Sequence, residues 1–290
     1  MTLEQLRIFI GVAEREHVTK AAQDLNVTQS AASGAIATLE ARHGVPLFHR
    51  VGRGIQLTEA GSAFLEEARA VVGRAAHAEM MLAEFGGLER GTLRLVASQT
   101  IASYWLPGKL AAFNAMYPKI AVELAIDNTE GAAMQVLSGA AELGFVEGTI
   151  DDPALAHWVV GHDPMVLVGR ERVTNIDDAW LREARWIVRE QGSGTRSTFE
   201  EVLQARHIDP AQLAISMTLP SNEAVRTAVE AGAGVAALSR LVVGRALGNG
   251  DLVELPFDVP DRPFHALRHK ERYRTRAADA LTDLIKEQRP

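Results

Sequence analysis

From Thr58 to Phe85 the chain reads TEAGSAFLEEARAVVGRAAHAEMMLAEF, a stretch without proline in which Phe64, Ala68, Val71, Ala75, Ala78, Leu82 and Phe85 recur at three- and four-residue spacing. This periodicity predicts one helix of roughly 28 residues, about 42 Å long at 1.5 Å per residue. No small domain can bury a seam of that length alone, so the pattern predicts pairing with a second copy of the chain. The helix also divides the chain in two. Gly86-Gly87 closes it, and the hydrophobic pattern differs on its two sides.

Ahead of it, Leu3, Leu6, Ile10 and Ala13, with Phe9 and Val12 beside them, mark an amphipathic helix that ends near His17. Thr19 is placed to cap a short second helix over AAQDL. Asn26-Val27 makes a tight turn, and Thr28 is placed to cap a third helix, QSAASGAIATLEARHG, which stops at Gly44. Helix, short turn, helix is a helix-turn-helix. The following VPLFHRVGRGIQLT reads as a β-hairpin around Gly52 to Gly54, where a winged variant carries its wing.

Beyond Thr92 short apolar runs such as TLRLVA, VELAI and LGFVE alternate with helical segments, which predicts an α/β domain with a largely parallel sheet. Pro, Gly and polar clusters near His162 to Pro164 and at Pro263 indicate that the chain leaves one lobe and returns to it. The expected division is 1–58 for a winged helix-turn-helix and 59–90 for the linker helix. A two-lobed domain follows at 91–290, lobe I being 91–162 with 266–290 and lobe II 163–265.

Composition narrows the chemistry. The absence of cysteine excludes disulfides, thiolate metal sites and cysteine nucleophiles. The first residues lack the basic and apolar segments of a secretory signal, and charges break every apolar run well short of about 18 residues, so a cytoplasmic chain with no membrane partner is expected. His43, His49, His157, His162, His265 and His269 are scattered and form no HExxH, so no metal is expected. Ser193 sits in GSG rather than in a GxSxG elbow. No cofactor constellation assembles, and an enzyme is not expected.

The net charge of -7 gives no global reason to expect a polyanionic partner. Locally the balance differs: Arg42, His43, His49, Arg50 and Arg53 cluster after the predicted turn, while most acids of the first 62 residues precede it.

In this order and spacing, LRIFIGVAE, AAQDLNVTQSAAS, LEARHGVPLFHR and LTEAG resemble the amino-terminal domain of LysR-type transcriptional regulators. The resemblance extends over the whole chain, since that family joins its head through a long helix to an α/β domain similar to type II periplasmic binding proteins. It implies a sequence-specific DNA-binding regulator that binds double-stranded DNA at a pseudo-palindromic operator, as a homodimer or homotetramer, under control of a small effector. Within the family, VEG at Val146 to Gly148, REQGSGTR at Arg189 to Arg196, EAGAGVAALSR at Glu230 to Arg240 and RHKERY at Arg268 to Tyr273 resemble a sulfur-anion-sensing branch. The GSGTR segment also resembles regulators of carbon-fixation operons, so sulfite, sulfate and phosphorylated metabolites are the expected effector classes. A small-molecule-binding protein whose head serves protein contacts is the alternative.

On this reading the helix capped by Thr28 presents Gln29, Ser30 and Ser33 to base edges or phosphates, and Arg50 and Arg53 on the wing meet the backbone or minor groove. QGSGTR precedes a helix whose positive N-terminus suits a small anion, with Ser193, Thr195 and Arg196 as holders, although a plain cap accounts for the same residues. Ser98, Gln99 and Thr100 follow the first strand of the α/β domain, at the sheet end where such folds bind ligands. The resemblance places the effector between this loop, Glu147 and the helix start near Thr195. Asn222, after Ser221 at another helix start, is a further candidate, with capping as its other role. Glu147 sits awkwardly beside an anion unless a proton or cation intervenes.

Overall fold

The first helix, α1 (Leu3–Arg15), starts on a reciprocal cap: Thr2 Oγ1 accepts from the Gln5 amide and Gln5 Oε1 accepts from the Thr2 amide. Its buried stripe is Leu6, Phe9, Val12 and Ala13, while the expected Leu3 is exposed. The second helix, α2 (Val18–Asp24), is capped by His17, whose ring accepts from Lys20 N, and not by Thr19. Glu16 in the left-handed region turns the chain so sharply that the next helix begins at once. Asn26, at φ +55°, makes the turn into α3 (Gln29–His43), which Thr28 caps through Ala31 N and Gly44 ends at φ +66°. A hairpin follows, β1 (Phe48–Val51) antiparallel to β2 (Gly54–Leu57). Then comes the long helix α4 (Glu59–Glu84).

This computed structural model describes residues 1–51, 54–84, 91–148 and 150–287, which divide between two compact units. In the N-terminal unit Phe9 packs on Phe48 and Phe64, with ring centroids 5.4 and 4.9 Å apart, and Leu6, Leu39, Leu47 and Ala68 close the layer. The first turns of α4 therefore belong to the core of the head. Further along, Val71 is exposed and Leu82 is 69% exposed.

In the second unit, β3 (Gly91–Ser98) leads through a π-helical turn at Ile101–Trp105 into α5 (Leu106–Met116), β4 (Ile120–Asp127), α6 (Thr129–Ser138), β5 (Leu143–Glu147) and β6 (Leu155–Asp163). The chain crosses at Pro164 into β7 (Met165–Gly169), α7 (Asp178–Glu183), β8 (Trp186–Arg189), α8 (Gly194–Ala205), β9 (Ile215–Leu219), α9 (Asn222–Glu230), β10 (Ala236–Ser239), α10 (Arg240–Asn249) and β11 (Val253–Glu254). It returns as β12 (Arg262–His269) and ends in α11 (Arg276–Glu287).

The first sheet has the order β4-β3-β5-β12-β6. In the second lobe β7 lies between β10 and β11, and β8 pairs with β9. The expected largely parallel sheet is a mixed one. Strands β3, β4 and β5 are parallel, but β12 runs antiparallel to β5 and β6, and β7 antiparallel to β10 and β11. A strand that re-enters beside the one that left must run against it, and apolar alternation carries no sign of direction. The return also comes earlier than the expected residue 266. Arg262 already pairs with Asp163, because Pro263, the second residue of β12, stands opposite His162 without stopping the pairing. Each lobe has its own core: Leu93, Leu95, Phe113, Phe145, Phe264 and Leu281 in the first, and Leu167, Trp186, Phe199, Leu203, Val225 and Leu238 in the second.

Candidate functional site

In the head, α3 buries Ala32, Ile36 and Leu39 at helical spacing, so the opposite side faces solvent. Thr28, Gln29 and Ser30 are exposed and Ser33 is half-buried. Short contacts hold this face in order: Thr28 Oγ1 and Ser30 Oγ lie 3.0 Å apart, and Gln29 Nε2 donates to Ser33 Oγ at 3.0 Å. Arg50 is exposed on β1. Arg53 lies outside the described residues.

The cleft of the second unit is built from chain ends. Ser98 closes β3 and Glu147 closes β5, while Thr100 opens the π-helical turn. From the other lobe come Arg189 at the end of β8, the start of α8 and the start of α9. Ser98, Thr100, Glu147, Ser193, Thr195 and Asn222 are all buried. Ser98 Oγ and Thr100 Oγ1 both donate to the Glu147 carboxylate, the latter at 3.2 Å. Asn222 Nδ2 donates to Thr100 Oγ1 at 3.0 Å, and Asn222 Oδ1 accepts from Arg189 Nη1 at 2.6 Å. Gln99 spans the cleft, its Oε1 accepting from Asn222 N at 2.9 Å and its Nε2 donating to the Pro220 carbonyl at 3.0 Å. Tyr104 donates to Glu223 at 3.0 Å in the same direction. Burial, and then this bond, raise the Tyr104 hydroxyl above its ordinary pKa.

Arg196 is engaged within its own lobe: its Nε pairs with Glu200 at 2.6 Å and its Nη1 donates to the Arg189 carbonyl at 3.2 Å. Two expectations about helix caps change. Ser193 is buried, yet its side chain does not cap α8. The cap of α9 is Ser221, through Ala224 N, which leaves Asn222 to the bridge between Arg189 and Thr100.

Sequence reasoning missed the centre of the cluster. Arg262, 2% exposed, donates from Nε and Nη2 to Asp163 Oδ2 at 2.8 and 2.7 Å, from Nη2 to Thr100 Oγ1 at 3.2 Å and from Nη1 to Thr195 Oγ1 at 3.0 Å. Its Nη1 also stands 3.5 Å from Glu147. Asp163, fully buried, accepts from Ser239 Oγ at 2.5 Å. Burial pushes the Asp163 carboxyl above its ordinary pKa, while Arg262 and Ser239 pull it back. Arg189 is held separately in a bidentate pair with Glu190, both bonds 2.8 Å. Burial opposes ionisation of Glu190, but the Arg189 bonds prevail and hold its carboxyl below the usual range. A usable signal was present at each lobe crossing, where a charged residue directly precedes a proline: Asp163-Pro164 and Arg262-Pro263.

The backbones also meet closely here. A side-chain carbon added at Gly194 would stand 2.2 Å from the Glu147 carbonyl oxygen and 2.7 Å from Thr129 Oγ1, which itself donates to that carbonyl at 2.6 Å.

A helix-turn-helix head on a long helix, followed by two α/β lobes around a polar cleft, defines a DNA-binding regulator with an effector-binding domain. The chain belongs to the LysR family of transcriptional regulators: residues 3–62 match the bacterial regulatory helix-turn-helix protein, lysR family, and residues 86–290 match the LysR substrate binding domain. It is 32% identical to the HTH-type transcriptional regulator YeiE of Escherichia coli (strain K12), over 98% of this chain and 96% of that one. To a probable RuBisCO transcriptional regulator of Nostoc sp. (strain PCC 7120) it is 31% identical, over 98% of this chain and 87% of that one. Among solved structures, the LysR family regulator CbnR has a TM-score of 0.70 at 22% identity, with 99% of each chain covered, and full-length CbnR with its target DNA has 0.69 at the same identity and coverage. No described helix is long and apolar enough to cross a membrane.

Proposed function

We propose that this regulator reads double-stranded, pseudo-palindromic DNA as a homodimer, or a homotetramer built from it, in the cytoplasm, and responds to a small oxyanion held between the lobes. Gln29, Ser30 and Ser33 would meet base edges, with Thr28, Arg50 and Arg53 on the backbone. The exposed Val71 and Leu82 on α4 support pairing through that helix. The observation that carries the effector reading is the convergence of Ser98, Thr100, Thr195 and Asn222, from both lobes, at the start of α8. Glu147 in their midst favours an anion that still carries a proton, such as hydrogen sulfite or a phosphate monoester, since a bare anion beside a buried carboxylate is repelled. Sulfur oxyanions and phosphorylated metabolites are the two effector classes of this reading. A regulatory domain of CcmR from Synechocystis, solved with 2-PG, covers 68% of this chain at 22% identity and a TM-score of 0.61.

A ligand can act here only by binding one arrangement of the lobes more tightly than another. The test is thermal unfolding of the full-length protein with sulfite, sulfate, thiosulfate, phosphate, phosphorylated sugars and 2-PG, together with its mobility shift on the intergenic DNA beside its own gene. An effector at a hundred times its Kd stabilises the fold by about 2.7 kcal/mol, a shift of several degrees. Stabilisation by an uncharged organic ligand and by none of these anions would overturn the oxyanion reading.

A further inference from the structure

We infer that Arg262 is the counter-ion of the effector and the residue through which occupancy of the cleft reaches the hinge, an inference that rests on the anion reading of the cleft. Among the described residues of the cleft, two buried guanidinium groups are placed to meet an anion. Arg189 is held by Glu190 through Nε and Nη2 at 2.8 Å and by Asn222 through Nη1 at 2.6 Å, both partners in its own lobe. Arg262 has partners in both lobes. Its Nε and Nη2 are tied to Asp163 and Nη2 also donates to Thr100 at 3.2 Å, while Nη1 has one bond to Thr195 at 3.0 Å and a 3.5 Å approach to Glu147. Charged hydrogen bonds of this kind settle near 2.7 to 2.9 Å, so this edge of the fork is the part still able to gain a partner. It lies beside Thr195 and Thr100, two of the hydroxyls that would hold the anion.

The other edge of the same guanidinium ends in the hinge. Asp163 is the last residue before the first crossing, Arg262 the first residue of the returning strand, and the two are paired across β6 and β12. Asp163 also accepts from Ser239, in the second lobe, and Arg240 N donates to the Pro164 carbonyl at 2.8 Å. A guanidinium drawn toward an anion must slacken its grip on Asp163. The acid then relies on Ser239, which fastens it to the second lobe. A merely structural arginine would neutralise Asp163 and do nothing else.

The two roles separate in calorimetric titrations of the full-length protein with sulfite, sulfate, phosphate and 2-PG. Arg262→Lys, which keeps the charge without the fork, is expected to lose about tenfold in affinity for the anion that the wild type binds, and Arg262→Gln about a hundredfold or more. Asp163→Asn frees the guanidinium, so it is expected to bind that anion at least as tightly as the wild type while losing the effector-dependent change in DNase footprint. Millimolar guanidinium ion is expected to restore part of the affinity of Arg262→Ala, a rescue that a purely structural role would not produce. Should Arg262→Gln fail to fold, the paired deletion Asp163→Asn/Arg262→Gln takes its place with the same expected loss. Wild-type affinity in the glutamine variant overturns the role of Arg262 and leaves the anion site standing; a wild-type chain that binds none of these anions overturns both.

Discussion

Replacing Gly194 by alanine tests whether the lobes meet as closely as the structure requires. The added carbon would lie 2.2 Å from the Glu147 carbonyl oxygen, 2.7 Å from Glu147 Cγ and 2.7 Å from Thr129 Oγ1, and the nearest of these is backbone, which cannot swing aside. Overpacking of this sort costs about 1 to 3 kcal/mol, and displacing Thr129 from the Glu147 carbonyl costs about 1 more. Alanine at the first position of α8 returns at most about 1 kcal/mol of helix propensity. The net loss of about 1 to 3 kcal/mol should lower the Tm of the α/β unit by about 2 to 12 °C, since each kcal/mol moves a domain of this size by roughly 2 to 4 °C. Gly244 supplies the control. It is exposed within α10 with nothing within 4 Å of its added carbon, so Gly244→Ala should leave Tm unchanged or raise it by a few degrees. Differential scanning calorimetry of both variants decides the matter, and a Gly194→Ala protein as stable as Gly244→Ala would refute the close approach of α8 to β5.

Two further outcomes are expected. Arg50→Ala should weaken binding to all DNA sequences alike and reduce the slope of log affinity against log salt by about one, measured by fluorescence anisotropy across a salt series; an unchanged slope would remove Arg50 from the interface. Burial first, then His157 and His162, hold the His265 imidazole below its ordinary pKa of 6.5, so the folded state takes up a proton there less readily than the unfolded chain. Stability contributed at this position is therefore full above about pH 6.5 and declines as the pH falls below it, and His265→Gln should flatten the dependence of Tm on pH between 7.5 and 5.

The head was largely legible because its signals are local. Thr28, Asn26 and Gly44 each act within one turn of chain, and the buried stripe of α3 follows directly from helical period. Where two local signals compete, as with His17 and Thr19, the backbone decides: the left-handed Glu16 starts α2 too early for Thr19 to cap it. The cleft was legible only in part. Hydroxyls at strand ends and helix starts are visible as a type, as with Ser98, Thr100 and Thr195. Arg189 and Arg196 stand in one motif, and only the folded backbone shows that the strand residue binds Asn222 while the helix residue binds Glu200. Arg262 and Asp163 are charged residues in segments that read as loops. Their burial comes from the antiparallel return of β12 beside β6, a pairing between residues 99 positions apart.

That pairing has a mechanical consequence. Two strands that cross side by side, bolted together by a buried ion pair, cannot bend independently. Any bending of one lobe against the other at this seam must therefore carry both strands and the Asp163–Arg262 pair with it.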